Sequence, residues 1–263
     1  MITTDFATGA PTWLDLGTPD LKGAISFYRG VFGWQFQAGG PETGGYGMFR
    51  VDDKTVAGGM TVSADQGVPA WTVYFGSADA DATVKAAEQA GGTVFLQPMD
   101  VLDQGRMAIL ADPAGASFGI WQPGRHKGFG HVTQDGGLNW VELYTPDVSA
   151  AKDFYGSVLG WSAFDVEFPG GSYTTVNPAG TDENGMFGGI VPLDTDPAEA
   201  RAGAHWTPYI HVPDVDAAAD KVQQTGGTVR SAPVSIPGVG RIAKLADPYG
   251  AGFAVIKGDP DQQ

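Results

Sequence analysis

The stretch from Trp13 to Trp34, WLDLGTPDLKGAISFYRGVFGW, returns without a gap 127 positions later as WVELYTPDVSAAKDFYGSVLGW, Trp140 to Trp161. A repeat this long means that one ancestral unit was duplicated and fused, and whatever one half builds the other builds in altered form. The chain of 263 residues then divides into two modules rather than one large domain. Residues 1–122 form the first module and 138–263 the second. Residues 123–137 (PGRHKGFGHVTQDGG) lack periodicity, are rich in glycine and read as a charged linker.

Within each copy the signals alternate between strand and helix. TWLDLG or NWVELY gives a strand, Thr-Pro-Asp a turn and helix start, and Gly33 or Gly160 a helix stop. Leu21, Ile25, Tyr28 and Phe32 recur at helical spacing, as do Val148, Ala151, Tyr155 and Leu159. Short glycine-bounded strands follow. A second unit with the same order completes each half, from Ala70 in the first and His205 in the second. Its offset is 135 rather than 127, which places about eight extra residues between Tyr173 and Trp206, in the TDENG turn and the TDPAEARAGA loop. Loop differences on a shared scaffold are where copies diverge in specificity. The expected class is α+β: four βαβββ units, arranged as two curved mixed-sheet cups in a fused pseudo-dimer.

Fifteen basic residues face thirty acidic ones, a net charge of −15 that repels phosphate backbones and argues against nucleic-acid binding. No apolar run approaches the roughly 20 residues of a membrane helix, and no signal-peptide pattern opens the chain, so a cytoplasmic protein is expected. The chain has no Cys, which removes thiolate metal sites and Cys nucleophiles.

The paired units, the DFYGSVLGW segment and the ADPAG and ADPYG turns before the last strand of each half resemble the vicinal oxygen chelate superfamily, which includes glyoxalase I, extradiol dioxygenases and bleomycin- and fosfomycin-resistance proteins. The chain is similar, more narrowly, to two-domain actinobacterial members, some encoded beside aromatic polyketide pathways. The resemblance implies a divalent metal held by His and Glu. At the implied ligand positions this chain carries Trp13, Val73 and Gly119 in the first half and Trp140, Pro208 and Ala254 in the second, none of them a ligand. The expectation is therefore a cup with no metal and no cofactor. A relocated metal on Glu142 and a histidine (His205, or His211, read as facing away) is the alternative.

Strand alternation assigns Trp13, Asp15, Trp71, Val73, Phe75, Ser117, Gly119 and Trp121 to the lining of the first cup. For the second it assigns Trp140, Glu142, Trp206, Pro208, Ile210, Gly252, Ala254 and Ile256. Aromatic walls beside small residues suit a planar ligand, and a carboxylate among indoles suits an ammonium or hydroxyl group. Two readings of Asp15 and Glu142 stay open: ligand recognition, or internal ion pairs with Arg106 and Arg241, which occupy equivalent turns. Catalytic candidates are Asp15, Glu142, Tyr46 and Tyr173, as acid, base or hydrogen-bond donor to a carbonyl.

The sequence reading is metal-free binding or sequestration of a planar aromatic molecule, cationic ones included, of antibiotic or polyketide type, giving resistance or relief of product inhibition. Alternatives are an enzyme on the same scaffold (a hydroxylase accessory, lyase or isomerase) and a regulatory protein-binding module with vestigial cups. Fusion supplies the second module in cis, so a monomer is expected.

Overall fold

The computed structural model describes residues 2–65, 67–168, 171–181, 185–196 and 199–259. Four βαβββ modules follow one another. The first is β1 (Pro11–Thr18), α1 (Leu21–Phe32), β2 (Gln35–Ala38), β3 (Gly47–Val51) and β4 (Lys54–Thr61). The second is β5 (Ala70–Gly76), α2 (Ala80–Gln89), β6 (Thr93–Val101), β7 (Gly105–Ala111) and β8 (Ser117–Pro123). The third is β9 (Leu138–Thr145), α3 (Val148–Leu159), β10 (Ser162–Phe168), β11 (Gly171–Asn177) and β12 (Gly188–Pro192). The fourth is β13 (His205–His211), α4 (Val215–Gln224), β14 (Thr228–Ile236), β15 (Gly240–Ala246) and β16 (Gly252–Gly258). The strands form two open mixed sheets of eight, ordered β2-β3-β4-β1-β5-β8-β7-β6 and β10-β11-β12-β9-β13-β16-β15-β14. This is the α+β duplication that the sequence repeat called for.

Each helix begins at an aspartate. Asp20, Asp79, Asp147 and Asp214 accept from the backbone N–H of Gly23, Ala82, Ala150 and Ala217 at 2.9–3.0 Å. Such a cap satisfies an otherwise orphaned donor and contributes about 1 kcal/mol. Gly33 and Gly160 close α1 and α3 at φ 73° and 71°, a conformation that costs glycine nothing. No helix among the described residues is long and apolar enough to cross a membrane.

Packing sorts the chain differently from the repeat. One compact unit contains residues 1–13, 72–128 and 140–207, and the other residues 14–71, 129–139 and 208–263. Within the first, α2 packs on α3; within the second, α1 packs on α4. The segments 1–122 and 138–263 are copies in sequence, but neither coincides with a compact unit, because each helix finds its partner helix in the opposite copy. The stretch 123–137 divides between the two units. Residues 123–128 belong to the first unit and 129–137 to the second. The second part is bound in place where Gly130 N donates to Thr55 O, Trp34 Nε1 to Gly136 O and Gly136 N to His211 O.

Each unit holds the same buried hydrogen-bonded chain. In one, Trp206 Nε1 donates to Tyr155 Oη at 3.0 Å and Tyr155 Oη to Asp112 Oδ2 at 3.2 Å. In the other, Trp71 Nε1 donates to Tyr28 Oη at 3.0 Å and Tyr28 Oη to Asp247 Oδ2 at 3.2 Å. Burial, reinforced by the aspartate charge, holds both phenols well above their ordinary pKa, so they remain donors.

These chains reverse the expected facing of β5 and β13. Trp71 and Trp206 turn toward the helical tyrosines, and Phe75 packs on Trp161 and Trp206 at ring distances of 5.0 and 5.1 Å. The residues assigned to the cups from these strands (Trp71, Val73 and Phe75; Trp206, Pro208 and Ile210) are therefore core. The opposite faces carry Tyr74, which lies over Gly119 of β8, and Tyr209, which pairs in register with Ala254 of β16. His211 shares the face of Tyr209 and bonds Asp135 at 3.0 Å, which corrects the reading that it points away.

Candidate functional site

In the first unit β9 places Leu143 and Val141 in the core, and alternation then sends Trp140, Glu142 and Tyr144 to the other face. Tyr173 of β11 reaches the same place. Trp140 Nε1 donates to Tyr173 Oη at 2.9 Å, and Tyr173 Oη donates to Glu142 Oε1 at 2.8 Å. Tyr144 Oη donates to Glu142 Oε2 at 2.6 Å, so each carboxylate oxygen holds a phenol. Burial and the Glu142 charge keep the Tyr173 hydroxyl protonated, its pKa well above the ordinary tyrosine value.

The approach of Tyr173 depends on a glycine. Gly189 of β12 lies in register with Glu142, and a Cβ there would collide with the Tyr173 hydroxyl. The ring of Tyr144 stacks on the His205 imidazole at 5.2 Å and 15°. His205 Nε2 bonds Glu199 Oε2 at 2.9 Å, and its Nδ1 bonds Gly203 O at 2.7 Å. Trp140, Glu142 and Tyr173 are half-buried, whereas Tyr144 and Glu199 are closed off from solvent. The cluster is a fixed anion between two phenols, edged by an indole and an imidazole.

In the second unit, Tyr46 Oη donates to Asp15 Oδ1 at 2.8 Å, and a Cβ at Gly58 would strike both. This pair repeats Tyr173 and Glu142. At the position of the second phenol the sequence has Gly17, and Ala70 replaces His205. Gly58 and Gly189 also locate the inserted residues. The offset between copies is 127 at Tyr46, 131 at Gly58 and 135 at Trp71, so four residues enter each of two loops. Of those loops, residues 182–184 in TDENG and 197–198 in TDPAEARAGA lie outside the described residues. Glu199 comes from the second.

Trp13 and Trp121 are brought together in the first unit, but by a residue assigned to the linker. The His126 imidazole meets Trp13 edge to face at 4.3 Å and Trp121 at 5.5 Å. Trp121 Nε1 donates to the His126 carbonyl at 3.0 Å. Trp13 is 3% exposed, against the half-buried Trp140. Burial drives the imidazole pKa down to about 4. Between that value and the unfolded value near 6.5 the unfolded chain binds the extra proton, so stability is complete above about pH 6.5 and falls as pH drops toward 4. At pH 5 the expected loss is on the order of 1–2 kcal/mol. Urea midpoints at pH 7.5 and 5.0 should show it in the native chain and not in His126→Phe. Equal pH slopes for the two would refute it.

Arg106 and Arg241 take no part in either carboxylate site. Arg106 Nε pairs with Asp81 at 2.8 Å and its Nη1 with Asp100 at 2.9 Å, and Arg241 pairs with Asp216 and Ser235. Helix-borne aspartates capture both guanidinium groups, so the ion-pair reading of Asp15 and Glu142 is replaced by tyrosine hydrogen bonding.

The donors do not fit a divalent metal. Among the described residues no three of His, Asp and Glu converge. An ion seeking several hard ligands finds Glu142 with each oxygen already accepting from a phenol, beside a histidine, His205, with both nitrogens engaged.

Tyr144, His205 and His126 were absent from the lining assigned by alternation. A signal for His205 was present in HWTPYIH, where one strand parity is His, Thr, Tyr and His and the other Trp, Pro and Ile. The face with polar tips is the one that suits a site.

Residues 11–120 and 137–255 each match the model of the Glyoxalase/Bleomycin resistance protein/Dioxygenase superfamily. The chain is 40% identical to the anthracycline biosynthesis protein DnrV of Streptomyces peucetius over 97% of its own length and 95% of that protein's. The same identity and coverage hold for DauV of Streptomyces sp. strain C5, also an anthracycline biosynthesis protein. Among solved structures, the 2,3-dioxygenase LapB of Pseudomonas sp. KL28 shares the fold, with a TM-score of 0.63 at 16% identity over 98% of this chain and 96% of LapB. With both repeats matched and relatives aligned end to end, the chain belongs to the glyoxalase/bleomycin resistance protein/dioxygenase superfamily.

Proposed function

We propose that the face formed by Trp140, Glu142 and Tyr173 binds a planar aromatic small molecule of polyketide type without a metal. The observation that carries this reading is the accessible indole of Trp140, tied through Tyr173 to a carboxylate whose two oxygens are pre-oriented by phenols. An indole face gives stacking area at low entropic cost, and a carboxylate with remaining lone pairs accepts a ligand hydroxyl or ammonium hydrogen. The naming of DnrV and DauV for anthracycline biosynthesis, a pathway of fused-ring polyketides, supports the ligand class.

Titration with 1,2-dihydroxyanthraquinone should quench tryptophan fluorescence saturably, and Trp140→Ala should weaken binding by about tenfold or more, the value of one good aromatic contact. Unchanged affinity in Trp140→Ala would overturn the assignment. A second reading, acid–base catalysis on the same face, draws on the carboxylate held between two proton-bearing phenols. Mass spectrometry of the bound probe separates the two: an unaltered mass supports binding, and Glu142-dependent conversion supports catalysis.

A further inference from the structure

His126 is a poor occupant for the place it fills. Its ring lies against the indoles of Trp13 and Trp121, yet its Nε2 is buried and has no hydrogen-bond partner. A buried polar atom left unpaired keeps its full desolvation penalty, so a ring of carbon alone would sit there at lower cost. The position is nonetheless well prepared. The Trp121 indole lies against Gly105, where a Cβ would meet it at 2.5 Å, so the strand gives up a side chain to seat the ring. The segment carrying His126 is strapped down on both sides. Gly124 N and His126 N donate to Gln104 O at 2.8 and 3.0 Å, Arg125 pairs with Asp103 at 2.7 Å, and Thr12 Oγ1 donates to the Lys127 carbonyl at 3.4 Å.

The second copy keeps neither partner in its sequence: at the offset of 135, Trp121 becomes Ile256 and His126 becomes Asp261. Two indoles and a tethered imidazole thus belong to the first copy alone.

We propose that Trp13 and Trp121 form a second ring-binding slot, separate from the Trp140 face, for a planar aromatic ring, and that the protein keeps this slot filled with its own His126. A free ring competes with a tethered one, so only a ligand that stacks better than imidazole and leaves no nitrogen unpaired enters. The strap then releases His126 to solvent, where its nitrogen regains hydrogen bonds.

The test uses the full chain carrying Trp140→Ala, which removes the other aromatic site, so that failure here is independent of the reading above. In that background His126→Gly should gain several degrees in Tm on addition of millimolar p-cresol and less with imidazole, the ordering that an orphaned nitrogen dictates. His126→Phe, with the slot filled by a ring that needs no partner, should exceed the parent in Tm and respond to neither compound. If His126→Gly does not fold, His126→Ser serves as the emptied variant. The proposal fails if the emptied variant is indifferent to both compounds, if imidazole is the stronger of the two, or if His126→Phe responds as the emptied variant does.

Discussion

Asp112→Ala is expected to lower the stability of the protein by about 3–5 kcal/mol, the range seen when a buried charged hub is removed and its partners remain. Asp112 Oδ1 accepts from the backbone N–H of Ala114 at 3.0 Å and of Ala116 at 2.9 Å, while Oδ2 accepts from Tyr155. Alanine strands all three donors in a place where Asp112 is only 3% exposed. Trp206 then donates to a phenol that has itself lost its acceptor. For a chain of this size each kcal/mol corresponds to roughly 2–4 °C, so Tm should fall by about ten degrees. Asp247→Ala in the other unit should cost a similar amount, since Asp247 accepts from Tyr249 N, Ala251 N and Tyr28 Oη. Asp81→Ala, at an exposed ion pair, should leave stability nearly unchanged. A loss for Asp112→Ala no larger than that for Asp81→Ala, measured by urea denaturation, would show that the turn re-satisfies itself.

The second large effect is on binding. Gly189→Ala places a methyl group where the Tyr173 hydroxyl lies, which drives the phenol away from Glu142 and breaks the link to Trp140. Affinity for 1,2-dihydroxyanthraquinone should fall by about 10- to 100-fold, the equivalent of one or two hydrogen bonds to a charged group. Tyr173→Phe removes the same hydrogen bonds without moving the ring and should fall less. Gly58→Ala makes the matching collision with Tyr46 and Asp15 in the other copy and should leave binding at Trp140 intact. If Gly189→Ala binds the dye as the native chain does, the Tyr173–Glu142 bond is structural only.

The fold was legible because its signals are local and doubled: an aspartate cap, a helical stripe and a glycine stop, written twice over. The positions of the first-strand residues were legible too, since Leu14 and Leu16 fix the core side of β1, and Leu143 that of β9. The phase of β5 was not, and that of β13 was marked only by the polar tips of His205, Thr207, Tyr209 and His211. AWTVYFG carries an aromatic ring on each face, and what decides between them is Tyr28, a residue 43 positions from Trp71. A contact between a strand and a helix distant in sequence leaves no periodic mark on either. The same limit hid His126, whose stretch PGRHKGFGH has the composition of a loop. Its role is set by two indoles that arrive from β1 and β8. The partners of Asp15 and Glu142 stood among the named candidates, Tyr46 and Tyr173, but charge complementarity pointed to the arginines as the internal partners to weigh against a ligand. Asp81 and Asp216, nearer to those arginines in the fold, had the prior claim.

The sorting of the chain into units that each draw on both copies has a consequence for its synthesis. Phe27 and Tyr28 leave the ribosome more than 200 residues ahead of Phe253 and Asp247, against which they rest. At about 5–20 residues per second the intervening stretch takes on the order of ten seconds or more. During that interval Tyr28 can already rest on Trp34, Phe49 and Trp71 of its own half, but the side of Phe27 that meets Phe253 stays uncovered. Fusing the two copies makes the later partner certain to arrive, but it also makes the earlier one wait.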